Sequence, residues 1–378
     1  MERRKIKSTK ENPSLLGFGC MRFPTIDGEI DSKEAKRMMD YAYSKGVNYF
    51  DTAYPYHEGK SELVVRDIIA QYERETFYLA DKIPLWDCKV EEDIDRIFHE
   101  QLEKCGVDYF DFYLIHAVNK QRLSQMEEMK VIEKLEKYKK EGKIHRIGFS
   151  FHDDLETFKT WVDLYEWDFV QIQLNYMDID HQQGIEGYNI LAKKGIPVIV
   201  MEPVKGGGLV KFNDKIESLL LDRDKEASIA SWGFRWVGSL PNVKVILSGM
   251  STMEQVEDNL NTFANFIPLN ESDKDLIKVV RQEILSLSKV DCTSCNYCMP
   301  CPHGVNIPGN FRLFNSYAMY ENTGQTSWAY GNLEKASMSA DFCIDCGECL
   351  SKCPQQIEIP TELRKMTEYF KENGIIKK

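Results

Sequence analysis

Val47-Asn48-Tyr49-Phe50-Asp51-Thr52 is a short apolar run that closes on polar residues. Ser61–Tyr72 follows as an amphipathic stretch, and Phe77-Tyr78-Leu79-Ala80-Asp81-Lys82 is apolar again. Short continuous apolar runs predict strands buried on both faces, and the longer stretch between them has helical periodicity. The same alternation extends in both directions from residue 15 to 262. Further strand-like runs are Leu16–Cys20, Tyr109–His116, Arg146–Ser150, Phe169–Asn175, Pro197–Pro203 and Val243–Ser248. Helices are expected over Ser32–Lys45, Val90–Lys104, Met126–Lys140, Asp153–Glu166, Gly184–Lys194, Asp224–Val237 and Thr252–Thr262. Stop signals stand at Gly46, Gly106, Gly142 and Gly195. The helix at Val90 places Ile94, Ile97, Phe98, Leu102 and Cys105 on one face. Eight strands and eight helices predict an α/β fold of the (β/α)8 TIM-barrel type. An open doubly wound sheet is the competing architecture. Its glycine-rich turn is not supported, because Gly17-Phe18-Gly19-Cys20-Met21-Arg22 has two of the three glycines and runs into no helix.

The 378 residues are 43% apolar and 29% charged, an ordinary globular balance. The formal net charge of −12 argues against a general nucleic-acid binder and against docking on an anionic membrane. No apolar run reaches the length of a membrane span. Met1-Glu2-Arg3-Arg4-Lys5-Ile6-Lys7 has no apolar stretch behind its charges, so it does not read as a secretory signal. A cytoplasmic protein with no nucleic-acid and no membrane partner is the expectation.

Cysteine departs from the average. Of 11 cysteines, eight fall between Cys292 and Cys353. Such a cluster without a secretion signal holds metal more often than disulfides. The chain is therefore expected to divide into a barrel over 1–280 and a small cysteine-rich domain over 281–378, whose motifs point by resemblance to a mainly helical dicluster ferredoxin fold. Cys292, Cys295, Cys298 and Cys301-Pro302 form the first motif, and Cys343, Cys346, Cys349 and Cys353-Pro354 the second. The second has the ferredoxin spacing for a 4Fe–4S cluster, and the first is one residue shorter before Cys301. Zinc would need only two Cys-x2-Cys pairs, so two 4Fe–4S clusters are the expected cofactors. The two motifs are also an internal duplicate, since Cys301-Pro302-His303-Gly304-Val305-Asn306-Ile307-Pro308 parallels Cys353-Pro354-Gln355-Gln356-Ile357-Glu358-Ile359-Pro360. In two-cluster ferredoxins the fourth cysteine serves the other cluster. That rule groups Cys292, Cys295, Cys298 and Cys353 around one cluster, and Cys343, Cys346, Cys349 and Cys301 around the other. A helix is expected near Asn310–Tyr320, and the tail resembles the helical two-cluster ferredoxins of multi-subunit oxidoreductases. Cys20, Cys88 and Cys105 read as small apolar filler.

In a barrel, polar residues at C-terminal strand ends line the active-site face. Asp51, Lys82 and His116 occupy three such ends, and Tyr56 follows five residues after Asp51. An ammonium beside a phenol stabilises the phenolate, and a carboxylate keeps that ammonium charged. A neutral histidine donates to a carbonyl oxygen that is becoming an alkoxide. Tyr54, His57 and Trp86 flank the four on their loops and are expected to contribute to the pocket mouth.

The motifs Asp51-Thr52-Ala53-Tyr54-Pro55-Tyr56, Gly59-Lys60-Ser61-Glu62, Ala80-Asp81-Lys82 and Asp111–His116 resemble the aldo/keto reductase superfamily, as do Glu141–Ser150 and Val170-Gln171-Ile172-Gln173. The resemblance covers about residues 10–265. It implies NAD(P)-linked reduction of a small carbonyl compound, or oxidation of the alcohol, with Tyr56 as proton donor, Lys82 and Asp51 as its tuning pair, and His116 orienting the carbonyl. It also implies that Ser150 and Gln171 hold the nicotinamide. Met201 stands where an aromatic residue usually stacks, and a thioether also covers an aromatic face. Around Gly206, in Val204–Leu209, backbone could approach the pyrophosphate. After the eighth strand, Gly249 and Gln255 take the positions where NADPH-preferring members place a lysine and an arginine, whereas Asp258 and Asn259 keep the adenine end. Without those cations a 2′-phosphate loses its main charge-assisted contacts, which leaves both NADP and NAD open.

A nicotinamide gives up two electrons as hydride, and each cluster accepts one. Three arrangements meet that constraint: a carbonyl reductase with an attached cluster domain, a reductase fed through its clusters by a redox partner protein, and a non-catalytic redox-sensing or electron-relay subunit.

Overall fold

The computed structural model describes residues 1–6 and 11–376. Eight parallel strands close a barrel: β1 (Leu16–Gly19), β4 (Tyr49–Asp51), β5 (Tyr78–Ile83), β6 (Phe110–Val118), β7 (Ile144–Phe151), β8 (Phe169–Gln173), β9 (Val198–Met201) and β10 (Val243–Ser248). β10 pairs with β1, and β1 with β4. The remaining strands, β2 (Thr25–Ile26) and β3 (Glu29–Ile30), make a small antiparallel ribbon after β1. The doubly wound alternative is thus excluded by closure.

Strand residues alternate between the barrel interior and the layer under the helices. Tyr49, Ala80, Phe112, Leu114, Phe169, Ile199, Val245 and Leu247 form one buried cluster inside the barrel. Phe50, Leu79, Tyr113, Ile115 and Phe149 instead join the larger cluster beneath the helices. That parity decides where the polar residues point. Asp51 continues the inward row of Tyr49, Lys82 that of Ala80, and His116 that of Phe112 and Leu114; Asp81 faces outward.

Around the barrel run α1 (Ser32–Ser44), α2 (Ser61–Ile69), α3 (Glu91–Cys105), α4 (Arg122–Glu128), α5 (Val131–Lys140), α6 (Leu155–Asp163) and α7 (Gly184–Lys194). After these in the chain come α8 (Asp214–Arg223), α9 (Ile229–Gly238), α10 (Met253–Ala264) and α11 (Glu271–Leu285). α3 and α7 stop at Gly106 and Gly195, both left-handed, as their sequences predict. The single helix expected over Met126–Lys140 is two, α4 and α5, because Lys130 adopts a left-handed conformation with φ 47° between them. α8 and α11 were outside the expected set; both are charged segments lying between or after the eight strand–helix pairs.

The chain forms two compact units, one of Met1–Gly206 with Asp224–Lys274, the other of Gly207–Arg223 with Asp275–Lys378. The division at 274/275 differs from the expected 280/281, and the segment Gly207–Arg223 groups with the cysteine-rich unit although it lies between β9 and β10 in the chain. In the second unit, Lys215 on α8 is ion-paired with Glu283 on α11. α12 (Ile307–Tyr320), α13 (Thr323–Lys335) and α14 (Ile359–Glu372) pack around Phe311, Phe314, Tyr330, Leu363, Met366 and Phe370. α12 and α14 both start Ile-Pro, with proline in the first turn where its missing N–H costs nothing. The internal duplication is thus two helix starts, each following its own Cys-Pro. It extends to the backbone: Ser294 and Asp345, Asn296 and Gly347, and Gly304 and Gln356 are paired positions in the two motifs, and all six have positive φ. Among the described residues no helix is long and apolar enough to cross a membrane.

Candidate active site

Lys82 is fully buried, and its Nζ donates to Asp51 Oδ1 and to the Thr52 carbonyl oxygen, both at 2.6 Å. The strand register makes this possible: β4 and β5 are neighbours, with Asp51 opposite Ala80, so inward side chains near the two strand ends meet. Burial alone would push the Lys82 ammonium down, but Asp51 and the Tyr56 phenol hold it above its ordinary range. Asp51 moves up because its burial outweighs the pull of Lys82, and its Oδ2 has no hydrogen-bond partner.

Tyr56 begins a short 3-10 turn, Tyr56–Gly59, that places its ring 4.8 Å from Lys82 Nζ. Burial pushes its phenol up, and the Lys82 charge pulls it back down. His116 meets Tyr56 edge-on, with ring centroids 5.8 Å apart. The β6–β7 register shifts between Ile115 and Val118, and Ala117 has φ 46°. Such a bulge re-aims the side chain beside it, here the imidazole. Burial, followed by the Lys82 charge, holds His116 well below the ordinary imidazole range, so it is neutral at physiological pH. Its Nδ1 is buried without a partner. Acid, cation, carboxylate and neutral imidazole therefore converge at one mouth of the barrel, an arrangement able to protonate and polarise a carbonyl.

Trp86 lies 5.0 Å from the His116 ring and walls that mouth. His57 stacks on Phe23, with centroids 6.0 Å apart. Tyr54 is different from expectation: its hydroxyl bonds Glu100 on α3 and its ring carries Lys104, so it braces helices.

Ser150, Gln171 and Met201 lie near the ends of β7, β8 and β9, adjacent strands. Ser150 Oγ accepts the Ala117 N–H at 2.8 Å, which fixes the bulge. Gln171 Nε2 approaches Met201 Sδ at 3.5 Å, and Gln171 Oε1 is buried without a partner. An orphaned acceptor beside a thioether fits a carboxamide-bearing ring, whose N–H2 would satisfy it. Gln255 Oε1 accepts the Ser251 N–H, and Asn259 Nδ2 donates to Ser248 Oγ, so both side chains organise their own loop and strand end. Gly206 and Gly249 occupy the loops after β9 and β10.

One polar assembly escaped the sequence reading. Asp81 and Glu62, both fully buried, face each other on the outer side of β5, with carboxylate oxygens within 4.8 Å of one another. Burial raises both carboxyls, Asp81 well above its ordinary range, which the nearby Glu62 reinforces. Two carboxylates cannot both ionise there, so the pair holds a proton. Asp81 Oδ1 accepts the Lys82 backbone N–H at 2.8 Å, and Gln101 Nε2 donates to the Lys82 carbonyl oxygen at 3.0 Å and to Glu62 Oε1 at 3.2 Å. Tyr113 OH donates to Gln101 Oε1. Cys105 is buried as expected of filler, but its thiol points at Asp81 Oδ2, 3.6 Å away. This network grips both main-chain polar groups of Lys82. Cys20 and Cys88 are buried, and burial raises both thiols, Cys88 to about 12, as befits unreactive sulfur.

In the second unit the cysteines line two cavities. One is bounded by Cys301, Cys343, Cys346 and Cys349, the other by Cys292, Cys295 and Cys353. Cys298 lines both. Each motif's fourth cysteine thus faces the other motif's cavity. Five thiols around the first and four around the second, with apolar walls from Ile307 and Ile359 shared by both, supply the four donors a cubane needs in each. Burial and neighbouring thiols push Cys349 up to about 11, so thiolate ligation there requires a compensating cation.

Comparison with known proteins agrees with this architecture. A family model described as the aldo/keto reductase family matches residues 15–281, and one described as a 4Fe-4S dicluster domain matches 291–358. A probable aldo-keto reductase 1 of Glycine max is 24% identical over 298 residues, covering 69% of this chain and 83% of its own. An Escherichia coli (strain K12) protein named NADH-specific methylglyoxal reductase is 23% identical over 332 residues, covering 75% of this chain and 99% of its own. The solved holo form of aldo-keto reductase AKR11C1 from Bacillus halodurans superimposes with a TM-score of 0.63 at 23% identity, over 74% of this chain and 96% of that one. An aldo-keto reductase from Klebsiella pneumoniae in complex with NADPH gives 0.61 at 21%, with the same coverage. At such identities the structures testify to the fold, whereas the family model spans residues 15–281 of 378. The chain therefore belongs to the aldo/keto reductase family, an oxidoreductase whose sequence continues into a 4Fe–4S dicluster domain.

Proposed function

We propose that the barrel reduces a small aldehyde or ketone, or runs the reverse oxidation, using NADH or NADPH, and that the second unit carries two 4Fe–4S clusters. The observation that carries the reading is the Lys82 ammonium, fully buried, 2.6 Å from Asp51 and 4.8 Å from the Tyr56 ring. A nicotinamide bound there would supply hydride to the carbonyl carbon. His116, neutral, donates to the carbonyl oxygen and orients it. Tyr56 gives its phenolic proton to the same oxygen, and Lys82 stabilises the phenolate that remains. Asp51 keeps Lys82 charged and in place. Gln171 and Ser150 would hold the carboxamide, and Met201 would cover the ring. Gly249 and Gln255 offer no cation to a 2′-phosphate, which supports use of NADH at least as readily as NADPH. Tyr56→Phe tests the assignment: turnover of a carbonyl panel should fall about 10²–10⁴-fold with cluster absorbance unchanged, and retained turnover would refute it.

A second reading, in which a redox partner protein feeds electrons through the clusters, draws on one observation. Cys295 and Cys346 are exposed, with Tyr297 and Ile344 exposed beside them, 68% and 63%. Anaerobic addition of NADH or NADPH separates the readings. Unchanged cluster absorbance, with dithionite still able to bleach it, leaves the barrel as a self-contained reductase beside a cluster port.

A further inference from the structure

We infer that Glu62, Asp81 and Gln101 form a clamp on the main chain of Lys82 that sets where its ammonium stands beside the Tyr56 phenol. All three are thus positioning residues for the proton transfer. The inference rests on the reading of the barrel as a nicotinamide-dependent reductase.

The clamp stands where the sheet runs out. Along β5, the Tyr78 N–H donates to the Asn48 carbonyl oxygen at 2.7 Å, and the Ala80 carbonyl oxygen accepts the Thr52 N–H at 3.0 Å. Alternate residues of a strand bond the same neighbour, so Lys82, next in that row, also turns its main chain towards β4. β4 ends at Asp51, whereas β5 runs on to Ile83. The Thr52 carbonyl oxygen, next in line for the Lys82 N–H, accepts from the Lys82 ammonium instead. Side chains take the two buried main-chain groups that the ladder leaves. Asp81 Oδ1 accepts the N–H at 2.8 Å, and Gln101 Nε2, from α3, donates to the carbonyl oxygen at 3.0 Å. Gln101 is itself fixed at both ends of its amide, by Glu62 Oε1 at 3.2 Å and by the Tyr113 hydroxyl at 2.5 Å. The start of α2 serves both parts, since Ser61 Oγ bonds Thr52 Oγ1 at 3.0 Å and Glu62 is the next residue. A lysine stem is long and flexible. Asp51 and Thr52 hold its tip, and the clamp holds its root.

The clamp contains a proton. Glu62 and Asp81 are both 0% exposed, and their oxygens lie within 4.8 Å of each other and of the Cys105 thiol. The groups that face them are Lys104 and Cys105 on α3, Lys82 on β5 and, through Gln101, Tyr113 on β6. Lys104 Nζ lies 3.4 Å from Glu62 Oε2 and 3.1 Å from Glu100 Oε1, and the Lys82 ammonium is held on the inner side by Asp51. One shared cation does not neutralise two buried carboxylates, so Glu62 beside Lys104 is the ionised member and Asp81 the neutral one. Burial and the Glu62 charge raise Asp81 in agreement with that order. A neutral Asp81 keeps an oxygen on the Lys82 N–H without setting a second negative charge behind the ammonium. The hydrogen bonds of this network reach the reacting groups through Lys82, and a displacement of about 1 Å in such a group can cost about 10²-fold in rate.

The test uses the anaerobic, cluster-loaded full-length protein, with a panel of small aldehydes and ketones led by methylglyoxal and with NADH and NADPH as donors. Asp81→Leu should lower kcat about ten- to a hundredfold and leave the KM for the dinucleotide within about threefold, the split expected when a reacting group is displaced and binding is untouched. Asp81→Asn, neutral and with the acceptor kept, should recover most of that loss. Gln101→Met releases the other end of the Lys82 main chain and should show the same split; it decides in place of Asp81→Leu if that variant does not fold. A second readout needs no turnover. The ring ζ-carbon resonance of Tyr56, assigned with Tyr56→Phe, should move in Asp81→Leu or Gln101→Met and return towards its wild-type position in Asp81→Asn. Unchanged kcat in Asp81→Leu, or equal losses in Asp81→Leu and Asp81→Asn, overturns this inference alone. A loss carried by KM, or an unmoved Tyr56 resonance, overturns it too. Absence of turnover by the wild type across the panel refutes the reductase reading, and the Tyr56 resonance then decides the clamp by itself.

Discussion

The barrel and the cysteine-rich unit hold their reactive side chains by opposite means. Asp51 and Lys82 are 3% and 0% exposed, sit on strands, and are fixed by bonds to each other and to backbone whether or not anything is bound. The cysteines sit on loops, Cys295 and Cys346 are exposed, and the turns between and just after them take left-handed backbone at Ser294, Asn296, Asp345 and Gln356. A side chain in that conformation costs about 1 kcal/mol or more where glycine would cost little. Preorganisation in the first case comes from packing. In the second, ligation by the cluster must offset the backbone cost and the crowding of thiolates.

The sharpest break of this contrast is iron removal. Chelation should abolish amide-exchange protection in α12 and α14 while β5 and β6 keep theirs; equal loss in both units would show that the barrel depends on the clusters too. Next comes Lys82→Met, expected to lower turnover about 10²–10⁴-fold with an unchanged melting profile of the second unit. A third test concerns the carboxyl pair behind Lys82. Asp81→Ala should cost about 2–3 kcal/mol, because Glu62 and the Lys82 N–H lose a buried partner. Asp81→Asn, which fixes one donor where the shared proton sits, should cost less than about 1 kcal/mol. Similar losses for both variants would dismiss the shared proton. The sign with pH follows from the raised carboxyls: their contribution is full below the ordinary carboxylate range and declines as pH rises, so Asp81→Asn should compare best with wild type at alkaline pH. The smallest effect is the mirror case. His116 is depressed, so the unfolded chain takes its proton first as pH falls below 6.5, and stability drops there. His116→Gln should flatten that acid limb of the melting temperature.

The fold was legible because strands buried on both faces are written as unbroken apolar runs, and all eight expected runs became barrel strands. Inward parity then carried Asp51, Lys82 and His116 to one mouth from sequence position alone. Residues whose role depends on helix docking were not legible. Asp81 reads as part of the Ala80-Asp81-Lys82 motif, and only the packing of α2 and α3 on β5 reveals that it faces Glu62 and Cys105. Arg22 reads as the end of an incomplete dinucleotide fingerprint, since nothing local tells a guanidinium to cross two glycines contributed by loops more than 180 residues away. The break at Lys130 carried no glycine or proline to announce it.

One feature of the chain path bears on how the molecule is made. Gly207–Arg223 belongs with the second unit, yet it is translated before β10, the strand that closes the barrel. During synthesis a piece of the cluster-bearing unit has thus left the ribosome while the barrel is still an open sheet. A truncation ending near residue 275 would leave α8 as an orphan, with buried Ile216 and Leu220 on a helix whose unit had been deleted. The two units are interleaved in sequence, so neither can be added to or cut from the gene at a single joint.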